Sequence, residues 1–153
     1  MFRGGSKINL DAKGRLAIPT RYRSELQECC ACQLVATVAV QASGEDSCLW
    51  LYPMPAWEEL ELTISKLPTL NKMAGILKRL VIGYASECEM DGQGRVLLPE
   101  RLRDFAKLEK QIVLLGQLNK FEIWNASILS DKESIWRESD FGDATEQLAS
   151  ISF

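Results

Sequence analysis

Apolar positions along this chain fall into two similar blocks of short alternating runs, each followed by residues at helical spacing. In the first block, the run Lys7–Leu10 enters a turn built on Asp11 and Gly14, and Arg15–Ile18 leaves it. Asp bonds its own backbone in such turns and Gly supplies positive φ, so the pattern predicts strand, turn and strand. Pro19 follows, placed where the first turn of a short helix tolerates a missing N–H, and a helix is predicted over Thr20–Leu26. The runs Leu34–Val38 and Leu49–Tyr52 then predict a hairpin whose turn includes Ser43 and Gly44. Trp57, Leu60, Ile64 and Leu67 share one helical face, and Pro68 ends it. A second amphipathic helix is predicted through Met73, Ile76, Leu77, Leu80 and Val81, ending near Gly83.

The second block repeats the first. Residues 10–23 align without gaps on residues 90–103, at an offset of 80, with Asp, Gly, Arg, Pro, Arg and Arg identical. Glu87–Met90 and Arg95–Leu98 correspond to the first two strands, and Glu100–Phe105, after Pro99, to the short helix. Ile112–Gly116 matches Leu34–Val38 in character, and Phe121–Trp124 matches Leu49–Tyr52. The offset falls to 72 at that last pair, so the first copy holds the longer hairpin loop, expected at Gln41–Ser47. A helix is predicted over Ala126–Arg137, and Glu138–Phe153 lacks clear periodicity. Self-similarity at a fixed offset is the mark of a repeated structural unit. A unit of roughly fifty residues is marginal by itself, so the two copies are expected to bury their apolar faces on each other.

Composition narrows the chemistry. The chain has 153 residues, 46% of them hydrophobic, and no histidine. Catalysis by Ser-His-Asp or Cys-His sets is therefore excluded, and no phosphate-binding glycine loop is present, so no enzyme is expected. Cys29, Cys30 and Cys32 crowd together, while Cys48 and Cys88 stand apart. Neither a disulfide framework nor zinc spacing results, so no metal and no cofactor are expected. The N-terminus lacks the apolar core of a signal peptide and no run is long enough for a membrane helix, so no membrane partner is expected. The net charge is −3, but it is sorted: residues 1–23 carry six basic side chains against one acid, and residues 130–153 carry six acids against two bases. A basic front with an acidic tail is compatible with a DNA binder whose tail points away from the duplex.

The opening Met1-Phe2-Arg3-Gly4, the two Asp-x-x-x-Arg turns, and the segments Cys48–Pro53 and Phe121–Trp124 resemble the MraZ family of bacterial transcriptional regulators. The likeness runs from residue 1 to about residue 137. It implies an α+β, β-rich fold of two intertwined AbrB-like swapped-hairpin β-barrel halves in one chain, a pseudo-dimer with peripheral helices. The two SpoVT-AbrB-like domains would span 5–53 and 82–125, with a helical connector at 54–81 and a C-terminal helix with acidic tail at 126–153. The expected partners are double-stranded DNA, at short promoter repeats, and further copies of the chain in a ring-shaped homo-oligomer. No small-molecule substrate is expected, and the expected location is the cytoplasm, with the nucleoid. The implied DNA-contacting residues are Arg15 and Arg95, with Arg3, Lys7 and Lys13 on phosphates, and Asp11, Gly14, Asp91 and Gly94 supporting the turns. The resemblance suggests repression of the protein's own division and cell-wall gene cluster. An Asp–Arg pair at a turn is also a common local ion pair, and Arg21, Arg23, Arg101 and Arg103 fit structural roles equally well. Two other readings stay open: a ring scaffold that binds no DNA, and an AbrB-like antitoxin.

Overall fold

The computed structural model describes residues 1–40, 47–139 and 146–152. The predicted hairpin turn at Ser43 and Gly44, most of the longer loop, and the tail carboxylates Asp140 and Asp143 lie outside the described residues.

In the first copy, β1 (Gly5–Asn9) and β2 (Arg15–Ala17) flank the Asp11 turn. Helix α1 (Thr20–Cys30) follows Pro19, which sits just before the first helical residue rather than inside the first turn. The helix runs four residues past the predicted Leu26. It stops where Ala31 and Cys32 take φ of 50° and 65°, and their N–H groups return to the carbonyls of Gln27 and Leu26. That is a left-handed C-terminal cap, formed here without the usual glycine, which is why the sequence did not announce it. The hairpin strands are β3 (Gln33–Val38) and β4 (Leu49–Pro53).

The connector holds α2 (Met54–Ser65) and α3 (Lys72–Leu77), the latter capped by the Asn71 side chain on the N–H groups of Met73 and Ala74. The amphipathic helix expected through Val81 does not continue as an α-helix. Residues Lys78–Ile82 widen into a π-helical turn, and the Gly83 N–H reaches back to the Lys78 carbonyl. The widened turn seals Val81 into the core, and the Val81 carbonyl accepts a bond from the buried Thr37 hydroxyl. The second copy then gives β5 (Ser86–Glu89), β6 (Arg95–Leu97), α4 (Glu100–Phe105), β7 (Gln111–Gly116) and β8 (Phe121–Asn125). Helix α5 (Ala126–Arg137) matches its predicted span, and a short α6 (Glu146–Ala149) follows.

Among the described residues the strands form one antiparallel six-stranded sheet, in the order β1-β7-β8-β4-β3-β5, and a separate two-stranded ribbon, β2-β6. The two copies exchange their first strands. β1 pairs with β7 of the second copy, and β5 pairs with β3 of the first. The hairpins meet along β4 and β8. The closed barrel that the family likeness implied is not found among the described residues. β1 and β5 end the six-stranded sheet, because the turns after Leu10 and Met90 carry the next strands out of it and into the ribbon.

Alternation along each strand fills both faces of the sheet. On one face, Leu34, Ala36, Leu49, Leu51, Ile112, Leu114, Phe121 and Ile123 pack against the ribbon residues Leu16 and Val96, with Leu26 of α1 and Leu102 of α4. Each leucine, isoleucine, valine or phenylalanine among them, buried in full, contributes roughly 1.5–3 kcal/mol. On the other face, Val35 and Tyr52 pack against Trp57, Ile64 and Val81, while Val113 and Trp124 pack against Leu129 of α5. The ribbon is thus pressed onto the sheet through Leu16 and Val96 and turns its other side outward.

Candidate nucleic-acid interface

The site is built from two copies of one turn. The Asp11 Oδ1 atom accepts the backbone N–H groups of Lys13 and Arg15, both at 2.9 Å. Asp91 Oδ1 accepts those of Gln93 and Arg95, again at 2.9 Å. Gly14 and Gly94 return their N–H groups to the Asp11 and Asp91 carbonyls, with φ of +86° and +77°, a conformation costly for any residue with a Cβ. The bond from the Arg15 N–H holds the Asp11 carboxyl below its ordinary range, aided by the Arg15 side chain and the Lys13 N–H and partly opposed by desolvation. Asp91 is lowered in the same way by the Arg95 N–H, and the charge of Arg15 reaches it as well. Both carboxylates are therefore tied to the backbone and to arginine.

The ribbon brings the two arginines together. In its antiparallel register Arg15 faces Leu97, Leu16 faces Val96, and Ala17 faces Arg95. The dyad relating the copies passes through the buried Leu16–Val96 pair, so Arg15, Ala17, Arg95 and Leu97 share the outward side. Diagonal neighbours in such a ladder lie about 7–8 Å apart. The side chains of Arg15 and Arg95 are 30% and 34% exposed, enough to meet a ligand while their stems remain fixed.

The two arginines are held differently. Arg15 Nε donates to Asp11 Oδ2 at 2.9 Å. Arg95 Nε stands 3.8 Å from Asp91 Oδ2, is buried, and finds no hydrogen-bond acceptor among the described residues. The Arg95 Nη2 group donates instead to Gln93 Oε1.

A cross-brace joins the turns. Arg23 Nε donates to the Ile18 carbonyl and Arg103 Nε to the Leu98 carbonyl. Each guanidinium also lies against the glycine of the other copy's turn: a Cβ at Gly94 would sit 2.2 Å from Arg23 Nε, and one at Gly14 would sit 2.6 Å from Arg103 Nε. The backbone repeats the link, since the Ile18 N–H bonds the Gly94 carbonyl and the Leu98 N–H bonds that of Gly14. Arg23 and Arg103 are thus structural. Arg21 binds Ser6 and the Tyr22 hydroxyl, and Arg101 stacks 3.8 Å above the Tyr84 ring.

Of the remaining basic residues, Lys13 is exposed in the first turn, beside Arg15. Lys7 and Arg3 are not brought to this surface. Lys7 pairs with Val113 and so faces the α5 side of the sheet, away from the ribbon. Arg3 lies near the opposite end of β1, next to the Phe2–Leu118 bridge. Gln93, absent from the residues the sequence singled out, is the exposed counterpart of Lys13. The alignment of the two turns held the signal, because Lys and Gln occupy the same place in otherwise matched loops.

No group of three or more metal-ligating side chains occurs among the described residues. Burial pushes the thiols of Cys29 and Cys88 up to about 11, which leaves little thiolate at neutral pH. No helix among the described residues is long and apolar enough to cross a membrane.

Fold and site together define a class: a duplicated β-rich unit whose copies exchange strands and share one arginine-bearing ribbon. A family model described as "MraZ protein, putative antitoxin-like" matches residues 1–80 and again residues 81–150. The chain is 57% identical over 138 residues to the transcriptional regulator MraZ of Methylococcus capsulatus, covering 90% of this chain and 88% of that one. It is 46% identical over 153 residues to the transcriptional regulator MraZ of Alkalilimnicola ehrlichii, covering 99% of each chain. To that of Pseudoalteromonas atlantica it is 50% identical over 152 residues, covering 99% of this chain and 93% of the relative. The chain belongs to the MraZ family, a family of transcriptional regulators and not of enzymes.

Proposed function

We propose that the outward side of the β2–β6 ribbon enters the major groove of double-stranded DNA and that Arg15 and Arg95 read base edges there. The observation that carries this reading is the register of the ribbon, which puts both guanidinium groups on one exposed side, two steps apart across the ladder. A major groove is wide enough for a two-stranded β-ribbon, and an arginine fork fits guanine O6 and N7. Asp11 and Asp91 serve as supports: they fix the turn backbones and, in the first copy, the arginine itself. Lys13, exposed beside Arg15, would meet a phosphate; Lys7 and Arg3 would need a second DNA-facing surface. The chain then acts as a transcriptional regulator, in the cytoplasm and at the nucleoid, repressing its own division and cell-wall gene cluster at short promoter repeats.

A single ribbon with two reading arginines binds weakly, and several ribbons in a ring-shaped homo-oligomer would engage repeats together, gaining avidity without new contacts. Two surfaces support assembly. The connector leaves Leu70, Met73, Ile76 and Ile82 exposed, and α5 leaves Ile135 and Trp136 exposed. Residues 66–82 carry four basic and no acidic side chains, whereas α5 is balanced, Asp131 and Glu133 standing against Lys132 and Arg137.

The test is binding of the native chain and of an Arg15→Ala/Arg95→Ala variant to a duplex containing the promoter repeats, followed by fluorescence anisotropy, with light scattering on the same samples. Each bidentate contact is worth about 1–3 kcal/mol, so the double variant should lose roughly 30-fold to 10⁴-fold in affinity at unchanged mass. Binding should also weaken steeply with salt. A folded, assembled double variant that binds as the native chain does would remove the reading. The antitoxin-like wording of the family description favours one second reading, in which the C-terminal segment holds a partner protein; removal of residues 138–153 would then abolish partner capture and spare DNA binding.

A further inference from the structure

The two turns are twins in backbone and differ in side chains. Lys13 and Gln93 stand at equivalent positions, each with its N–H on the aspartate Oδ1 at 2.9 Å, so their side chains leave matched backbone sites. Around them the arginines are not equivalent. Asp11 engages Arg15 through Nε, which keeps the terminal nitrogens of that fork for a ligand in a fixed pose. Arg95 has its Nη2 on the Gln93 amide oxygen and its buried Nε without an acceptor among the described residues. A buried, unpartnered N–H is costly and favours any state that gives it a partner.

We propose that Gln93 is a specificity-determining residue and that the two halves of the DNA element under the ribbon are read unequally. The inference rests on the DNA reading above. In the first half, Arg15 and Lys13 present only donors, all positively charged, and suit the acceptor-rich edge of guanine and a neighbouring phosphate. In the second half, Gln93 carries both a donor and an acceptor and pairs with Arg95. An amide of that kind matches adenine, which offers N7 as acceptor and N6 as donor. When Gln93 turns to a base, Arg95 Nη2 is released, and Arg95 can rotate to bring Nε onto Asp91, which stands at 3.8 Å in the unbound chain. The base preference of the second half is thereby set by the Gln93–Arg95 pair acting together. An element read by unlike halves lacks inverted symmetry, although the ribbon that reads it has a dyad.

The experiment is selection from a randomised double-stranded oligonucleotide pool by the full chain and by its Gln93→Lys, Gln93→Ala and Lys13→Gln variants, followed by competition titration of the enriched duplexes. Both positions are exposed turn residues, so the variants retain the fold. The native chain should enrich an element without inverted symmetry. Gln93→Lys should change the preferred base pairs on one side only, by about 5- to 150-fold at the affected pair, and Lys13→Gln should change the other side. Gln93→Ala should relax the preference on the Gln93 side while the Arg15 side stays selective. An inverted repeat selected by the native chain, or Gln93 variants that keep every native preference, would overturn the inference and leave DNA binding standing. A native chain that enriches no duplex would instead sink the DNA reading itself.

Discussion

Replacing Gly94 by alanine tests whether the two copies are locked together through their turns. Gly94 has φ of +77°, and an added Cβ would lie 2.2 Å from Arg23 Nε and 2.4 Å from its Cζ. The backbone conformation alone costs a non-glycine residue about 1–2 kcal/mol. Arg23 must also move, which breaks its bond to the Ile18 carbonyl; a hydrogen bond from a charged group is worth roughly 1.5–3 kcal/mol, and less where water can replace it. Arg23 is only half-buried, so the lower end applies, and the expected loss is about 2–4 kcal/mol. Urea unfolding at fixed protein concentration measures it as a lower midpoint with unchanged slope. Gly92→Ala is the control: it lies two residues away in the same turn, nothing stands within 4 Å of its Cβ, and its change should stay within about 0.5 kcal/mol. Arg23→Ala completes a double-mutant cycle. If the cross-brace is real, Gly94→Ala costs less in a chain already lacking Arg23, by about 1 kcal/mol or more. Equal costs at Gly92 and Gly94, or strict additivity with Arg23→Ala, would refute the reasoning.

Other expectations follow from the same geometry. Thr37 is buried and donates to the Val81 carbonyl, so Thr37→Val leaves that carbonyl without a partner and should lower stability by about 1–3 kcal/mol in the same urea assay. The Asp11 and Asp91 carboxyls are lower in the folded chain than their usual 3.8, so their stabilising effect is complete above that value and lost as pH falls through the depressed folded values. Asp11→Asn with Asp91→Asn should therefore flatten the acid limb of a stability–pH curve below about pH 4, and an unchanged limb would count against the tie. Trp124 is fully buried and meets Trp136 edge-on with ring centroids 5.8 Å apart. Trp124→Ala should cost about 3–5 kcal/mol and shift the emission of the remaining tryptophans as Trp136 loses its packing.

Local structure was written plainly where a residue's own chemistry decides it. The Asp-x-x-Gly-Arg turns, the alternating strands β3, β4, β7 and β8 and the span of α5 all follow from period and turn residues. What escaped the sequence depends on contacts made at a distance. The extension of α1 to Cys30 ends on alanine and cysteine in a left-handed conformation, with no glycine to mark it. The π-helical turn at Lys78–Ile82 carries Val81, whose carbonyl meets the Thr37 hydroxyl from 44 residues away in the chain. The candidate site divides the same way. Repetition marked Arg15 and Arg95, but charge alone grouped Arg3 and Lys7 with them; strand register separates Lys7 from the ribbon, and Arg3 lies before β1, next to the Phe2–Leu118 bridge. Arg23 and Arg103 were visible as identities between the copies; that each braces the other copy's glycine needed three-dimensional placement.

The exchange of first strands sets an order of events during synthesis. Gly5 finds its partner in Leu115, a hundred and ten residues downstream, so β1 leaves the ribosome long before the strand it pairs with. At roughly 5–20 residues per second, β1 waits several seconds or more with its edge unpaired. A chain released after the first copy holds β3 and β4 but neither strand that flanks them, β5 or β8, and offers two bare sheet edges to its neighbours. Prematurely terminated products should therefore be cleared or aggregate rather than persist as half-sized competitors for the same sites.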